Sequence, residues 1–307
     1  MRGTFIRTLE KMAKADKNIF LLTADLGYKL FDNFRDNYPD RFVNVGVAES
    51  NMIGVAAGLA LSGKNVYCYS MVPFLTMRTF EQIRVDLCYH NLGVKLVGVG
   101  GGLVYGLEGM THQAIEDISI MRSLPNMTVT APGDPAEVEC LIEESVRYKG
   151  PLYIRLGKDR DPVVHETAPD FKIGRGIVLK RGKKAVLFAA GNVLPAAKAA
   201  VEALEENGLS ITLVSMHTIK PIDKKLVIEC ARRTKAVFTV EEHSLIGGLG
   251  SAVAEIIAES GEKVIFRRIA LPDAYSKYMG SSGYLRKKYG LTPQAIANRI
   301  TKELKKK

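Results

Sequence analysis

The chain has 307 residues, 47% of them hydrophobic and 25% charged, with a formal net charge of +10. That balance excludes a disordered chain, and no apolar run reaches the ~18 residues of a membrane-spanning helix. The length points to two domains.

Helical and strand-like segments alternate along the chain, the pattern of a parallel α/β protein. Residues 3–15 read as an amphipathic helix, and 19–23 as a short strand ending in Ala24-Asp25-Leu26-Gly27. A second strand over 42–47 leads into a helix of small apolar residues after Glu49. Strands follow at 65–70, 94–99, 127–131 and 152–156, with helices at 79–90, 115–121 and 135–148. Charge and proline without periodicity then mark a linker, placed at 161–175 between domains at 1–160 and 176–307. Beyond it strands are expected at 185–190, 210–215, 236–241 and 263–269. Helices are expected at 193–207, 224–234, 250–260 and 292–305. The fold class is therefore α/β, with two parallel-sheet, three-layer domains.

The positive charge is concentrated in Lys180-Arg181-Gly182-Lys183-Lys184, Arg286-Lys287-Lys288 and Lys305-Lys306-Lys307. These runs lack interleaved aromatics, so they read first as solvated surface, and second as an attraction for phosphorylated substrates or an acidic partner subunit, not as a nucleic-acid interface. Cys68, Cys88, Cys140 and Cys230 are too scattered for a zinc site or a disulfide framework; buried free thiols are expected. The opening Met1-Arg2-Gly3-Thr4 runs directly into a helical pattern without a signal-peptide core, so a cytoplasmic location is expected.

Glu49 stands between an apolar strand and an apolar helix. A carboxylate there is costly to desolvate, so it must be paired, protonated or functional. The run Gly98-Val99-Gly100-Gly101-Gly102-Leu103 fails the dinucleotide-binding spacing, because Leu103 takes the place of the last glycine. It reads instead as a ligand-facing loop at the carboxyl end of a strand. Gly106-Leu107-Glu108-Gly109-Met110-Thr111-His112-Gln113 sets a carboxylate and an imidazole four residues apart in a glycine-rich loop. Histidine suits proton transfer or bonding to sugar hydroxyls, and no trio of metal ligands accompanies it. Asp25 is either a turn residue or a second carboxylate at the edge that carries Glu49. Arg155 suits either phosphate recognition or an interdomain salt bridge. Gly247-Gly248-Leu249-Gly250, ahead of a helix, reads as a tight turn or an anion site.

Several runs, in order, resemble the C-terminal half of transketolase over essentially the whole chain. They are Thr23-Ala24-Asp25-Leu26, Asp40 to Glu49, Phe80-Glu81-Gln82-Ile83-Arg84, Gly109-Met110-Thr111-His112-Gln113, Arg122 to Met127, Thr218 to Asp223, and Val240 to His243 with Gly247 to Gly250. The resemblance implies a thiamine-diphosphate enzyme in which Glu49 grips a ring nitrogen of the cofactor's aminopyrimidine and so switches the cofactor on. It further implies that His112 assists proton transfer and binds substrate hydroxyls alongside Glu108. Arg2 and Arg155 match substrate-phosphate positions. Asp25 and Gly102 match the cofactor side, and an aromatic near Met71 to Phe80, taken as Phe74, stacks on the pyrimidine, although Val72 fits one register. Two departures are Glu108, where many members have Asp, and Gly100, where many have a phosphate-contacting His.

Members of this family hold the diphosphate through Mg²⁺ with a Gly-Asp-Gly motif, and this sequence has none. The expectation is half an enzyme: the C-terminal subunit of a split transketolase. It would transfer a two-carbon ketol unit between sugar phosphates, with Mg²⁺ held by a separate N-terminal subunit in an α₂β₂ heterotetramer. The alternatives are the β subunit of a 2-oxo acid dehydrogenase decarboxylase component, a deoxyxylulose-phosphate-synthase-like enzyme, or a non-catalytic regulatory subunit.

Overall fold

The computed structural model describes residues 1–158 and 161–306. The boundary expected at residue 160 lies outside the described residues. In the first half the strands are β1 (Ile19–Thr23), β2 (Phe42–Asn44), β3 (Asn65–Met71), β4 (Lys95–Val99), β5 (Thr128–Thr130) and β6 (Leu152–Leu156). In the second they are β7 (Ile177–Lys180), β8 (Ala185–Ala190), β9 (Ile211–Ser215), β10 (Thr218–Lys220), β11 (Ala236–Ser244) and β12 (Ile265–Leu271). One sheet has the order β10-β5-β6-β4-β3-β1-β2, the other β12-β11-β8-β9-β7. Strands β4, β6 and β8 are buried at every residue, as a parallel sheet covered by helices on both faces requires.

The α/β class is as read from the sequence, but both sheets are mixed. Strand β10 crosses from the second half and pairs antiparallel with β5, and β7 pairs antiparallel with β9. Ala131 N donates to His217 O beside the first of these pairings, so the two halves share a sheet edge. A three-residue strand whose partner lies in the other half of the chain has no local signal. The helix expected at 79–90 is a short α turn, Phe80–Gln82, followed by a π-helical stretch, Ile83–Tyr89. Cys68, Cys88 and Cys230 are buried free thiols as expected, whereas Cys140 is only half-buried.

In the parallel part of the first sheet, strand carboxyl ends gather on one edge. Thr23, Ser70, Val99 and Leu156 lie at or near those ends. The loops that leave this edge carry the chemistry-bearing residues.

Candidate active site

Glu49 is the first residue of the helix Glu49–Leu61, where exposed backbone N–H groups and the helix dipole favour a carboxylate. The side chain is 2% exposed. Ser70, at the end of β3, donates to Oε1 at 3.2 Å, and Arg78 donates to Oε2 at 2.7 Å. A carboxylate at a strand-to-helix turn is thus provided with two partners, one neutral and one cationic. The guanidinium of Arg78 also lies 4.6 Å from the centre of the Phe74 ring.

Phe74 belongs to the helical turn Val72–Thr76 that follows β3. Val72 is buried in the core and packs on Gly98, whereas Phe74 is half-buried and meets His112 edge-on at 5.3 Å between centroids. A second ring near His112 is Tyr105, at 6.3 Å between centroids. The structure therefore joins Glu49, Phe74 and His112 through a continuous line of contacts. His112 Nδ1 pairs with Thr111 Oγ1 at 2.9 Å. Glu108 is exposed on the same loop, and its backbone oxygen accepts from Thr111 Oγ1.

Other expected residues are placed differently. Asp25 is exposed on the same sheet edge and bonded to Asn44, with its backbone in the left-handed region at φ 52°. It lines a cleft of about 240 Å³ with Tyr28, Phe31, Arg35 and Phe42. Arg2 begins the helix Arg2–Ala15, half-buried, with its N–H bonded to Lys158 O.

Two expectations need correction. Arg155 is 1% exposed, and its guanidinium bonds Asp117 at 2.7 Å, Ala114 O at 2.9 Å and Glu242 O at 3.0 Å. Burial works against the Arg155 charge, and Asp117, Tyr153 and Glu242 together more than offset it. The ion pair of Arg155 is thus with Asp117, in the same half of the chain, and is neither an interdomain salt bridge nor a phosphate contact; its tie to the second half is the hydrogen bond to Glu242 O. Gly102 is also buried, and its N–H and C=O are both committed to Ala114. A Cβ there would lie 2.6 Å from Glu242 Oε1, so Gly102 admits the second domain and offers no polar group to a cofactor.

Gly100 has φ +88°, and a Cβ on it would come within 2.1 Å of the Tyr105 ring. Tyr105 therefore fills the space that a side chain at residue 100 would take. The Lys158 ammonium lies 4.9 Å from the centre of that ring. Sequence reasoning missed Ser70, Arg78, Tyr105 and Lys158. For Arg78 a signal existed: a cation four residues after Phe74 in an otherwise apolar stretch.

Among the described residues, one group of side chains has metal-ligand spacing: Asp134, Glu137 and His165, with ligand atoms within 4.8 Å of one another. It is already saturated. Asp134 accepts from the N–H groups of Glu137, Val164 and His165, and Glu137 accepts from Gly133 N and pairs with His165 at 2.9 Å. The Gly247 to Gly250 loop is likewise filled internally, because buried Glu241 accepts from Leu249 N and Gly250 N at 2.7 Å each. No helix among the described residues is long and apolar enough to cross a membrane.

Residues 1–162 match the transketolase pyrimidine-binding domain, and residues 174–296 match the transketolase C-terminal domain. A Methanocaldococcus jannaschii protein, provisionally named a transketolase C-terminal section, is 41% identical and is aligned over 100% of this chain and 96% of its own length. One of the subunits of an apulose-4-phosphate transketolase from Actinobacillus succinogenes is 38% identical over 86% of this chain and 85% of its own. A solved structure titled as a split gene transketolase, inactive beta4 tetramer, superposes with a TM-score of 0.91 at 38% identity, over 99% of this chain and 97% of that one. The chain belongs to the transketolase family and carries that family's pyrimidine-binding and C-terminal domains.

Proposed function

We propose that this chain is the C-terminal subunit of a split transketolase, transferring a two-carbon ketol unit from a ketose phosphate to an aldose acceptor with thiamine diphosphate. The observation that carries the reading is the buried Glu49 carboxylate at a helix N-terminus, linked through Arg78 and Phe74 to His112. A buried carboxylate beside a half-exposed aromatic face suits a flat, basic heteroaromatic ring such as an aminopyrimidine. When bound, thiamine diphosphate supplies the carbon nucleophile and the electron sink for ketol transfer.

The chain's own residues do the following. Glu49 exchanges its bond to Arg78 for one to the ring nitrogen and holds a proton there. Phe74 covers the ring face. His112, with Thr111 at Nδ1, uses Nε2 to hold or move a proton at a sugar hydroxyl, and Glu108 meets a neighbouring hydroxyl. Asp25 belongs to the cofactor side and Arg2 to the substrate phosphate. Mg²⁺ and the diphosphate are held by a separate N-terminal subunit in an α₂β₂ assembly in the cytoplasm. The missing Gly-Asp-Gly motif supports this division, as do the names of the two relatives and the split-gene structure.

Calorimetry with thiamine diphosphate and Mg²⁺ tests the reading, first on the chain alone and then with a partner containing Gly-Asp-Gly. Binding only by the pair, followed by ketol transfer between pentose phosphates, is expected. Replacing Glu49 with Gln should lower that transfer on the order of 10²–10⁴-fold, the range of a lost acid–base contribution. Activity within a few-fold of wild type in that variant would sink the assignment, and pyruvate decarboxylation by the pair would point to another branch of the cofactor class.

A further inference from the structure

The segment from Gly100 to Glu116 presents Glu108 and His112, yet contains no helix and only one isolated bridge, between Gly102 and Ala114. Ordering such a segment is entropically costly, so something outside it must fix its course. Leu156 O, which accepts from Gly100 N and Gly101 N, anchors its start within the first domain, and the second domain supplies a further set of contacts. Glu242 Oε1 accepts from Leu103 N at 2.7 Å, and Asn192 Nδ2 donates to Gly101 O at 3.1 Å. Gly280 N donates to Gly106 O at 3.1 Å, and Ser244 N donates to Ile115 O at 2.8 Å. Leu285 lies against Gly106, and Met279 lies beside Gly109.

Glu242 is the centre of this set. It is fully buried at the end of β11 and is held on its other oxygen by Arg286, from the helix Ser282–Lys288. Its backbone oxygen accepts from Arg155, which also bonds Ala114 O at the far base of the loop. One buried carboxylate therefore grips the outgoing arm of the loop through Leu103. The backbone of the same residue ties to the returning arm through Arg155.

We infer that Glu242, held by Arg286, is a positioning residue for the loop that presents Glu108 and His112, and that this is how the C-terminal domain acts on the reaction. The activity arm of this inference rests on the ketol-transfer reading; the structural arm does not. A side chain that fixes a catalytic loop matters because displacements near 1 Å at reacting groups are enough to cost on the order of 10²-fold in rate.

The test uses the full chain with Glu242→Ala, Glu242→Gln, Arg286→Met and Arg286→Lys. Hydrogen exchange followed by mass spectrometry should show faster exchange over residues 103–113 in Glu242→Ala and Arg286→Met. Strands β1 and β3 should keep their protection. Glu242→Gln should recover much of the loop protection, since its amide oxygen still accepts from Leu103 N, and Arg286→Lys should do the same. In the pair assembled with its partner, Glu242→Ala should lower kcat on the order of 10- to 100-fold with thiamine diphosphate affinity unchanged, and Glu242→Gln should restore most of it. Unchanged loop exchange in both disruptive variants would overturn the inference. So would loss of protection spreading equally through β1 and β3 in both, because that marks a contact that merely holds the fold. If the wild-type pair transfers no ketol unit, the functional reading fails, and the exchange data still decide whether Glu242 positions the loop.

Discussion

Glu49 and Arg78 form an ion pair at 2.7 Å in which the carboxylate is 2% exposed and the arginine side chain 48% exposed. The buried member depends on a partner that solvent can reach and that a ligand can displace. A ring nitrogen bonding to Glu49 Oε2 would take the place that Arg78 holds.

Arg78→Met should therefore separate two effects. It leaves a buried oxygen of Glu49 without its donor, which should destabilise the chain by about 1–3 kcal/mol in urea unfolding. Glu49→Gln combined with Arg78→Met should recover part of that loss, the mark of direct coupling. In the assembled pair, Arg78→Met should also tighten thiamine diphosphate binding, because no ion pair has to be broken first. Weaker binding would show instead that Arg78 contacts the cofactor.

Gly100 is fixed by geometry on two counts. Its φ of +88° disfavours any side chain, and the space for a Cβ is occupied by Tyr105. Gly100→His should destabilise the chain by about 2–4 kcal/mol, combining left-handed strain with overpacking. Tyr105→Ala in the same chain should return the packing part only. A Gly100→His chain as stable as wild type, measured by thermal melting, would show that Tyr105 can swing away. The loop at this edge would then have more freedom than the structure displays.

The α/β class and most strand positions were legible because buried parallel strands are short, largely apolar runs, as in residues 185–190, which are apolar throughout. The distinctiveness of Glu49 was legible for the same reason: one carboxylate interrupts that pattern. The role of Arg155 was not decided locally. Its residue type and place at a strand end suit phosphate and carboxylate equally, and only the tertiary approach of Asp117 and Glu242 settles which it meets. Gly102 misled in a similar way. A glycine at a strand end signals close approach, but not whether a ligand or another domain approaches. Strand β10 lies in the run Thr218 to Asp223 that carried part of the resemblance, yet it was not readable as a strand, since its pairing with β5 is a contact between domains.

Asp117 and Arg155 make a buried pair to which the Tyr153 hydroxyl also donates. Breaking such a pair from one side leaves the other charge unsatisfied. Asp117→Asn should cost about 3–5 kcal/mol, and Asp117→Ala no less. Both variants should also loosen the interdomain contact at Glu242 O, which Arg155 bridges. A loss under 1 kcal/mol, well below that range, would mean that Arg155 readily finds other acceptors.

His217 gives the protein a pH dependence that can be isolated. It is fully buried, stacked on Phe171 at 4.0 Å, with Nδ1 paired to Thr218 Oγ1. Burial pushes its pKa from the ordinary 6.5 down to about 4; Glu137 pulls it up, and His165 pushes it down further. The folded state thus refuses a proton that the unfolded chain accepts, so stability falls as pH drops from 6.5 towards 4. Neighbouring His165 behaves oppositely. Burial lowers its pKa, but Glu137 and Asp134 raise it by more, so its contribution is full below 6.5 and is lost as pH rises through its folded value. Glu137 is raised by burial and lowered by more through His165, His217, Ser215 and Gly133, so its contribution is lost only on acidification below its ordinary 4.5. Between pH 6.5 and about 5 His217 therefore contributes a fall of ~2 kcal/mol, against which Glu116, whose pKa burial raises above 4.5, acts in the opposite sense at the acid end. His217→Gln should flatten the melting-temperature curve across that interval relative to wild type, and parallel curves for the two proteins would refute the assignment.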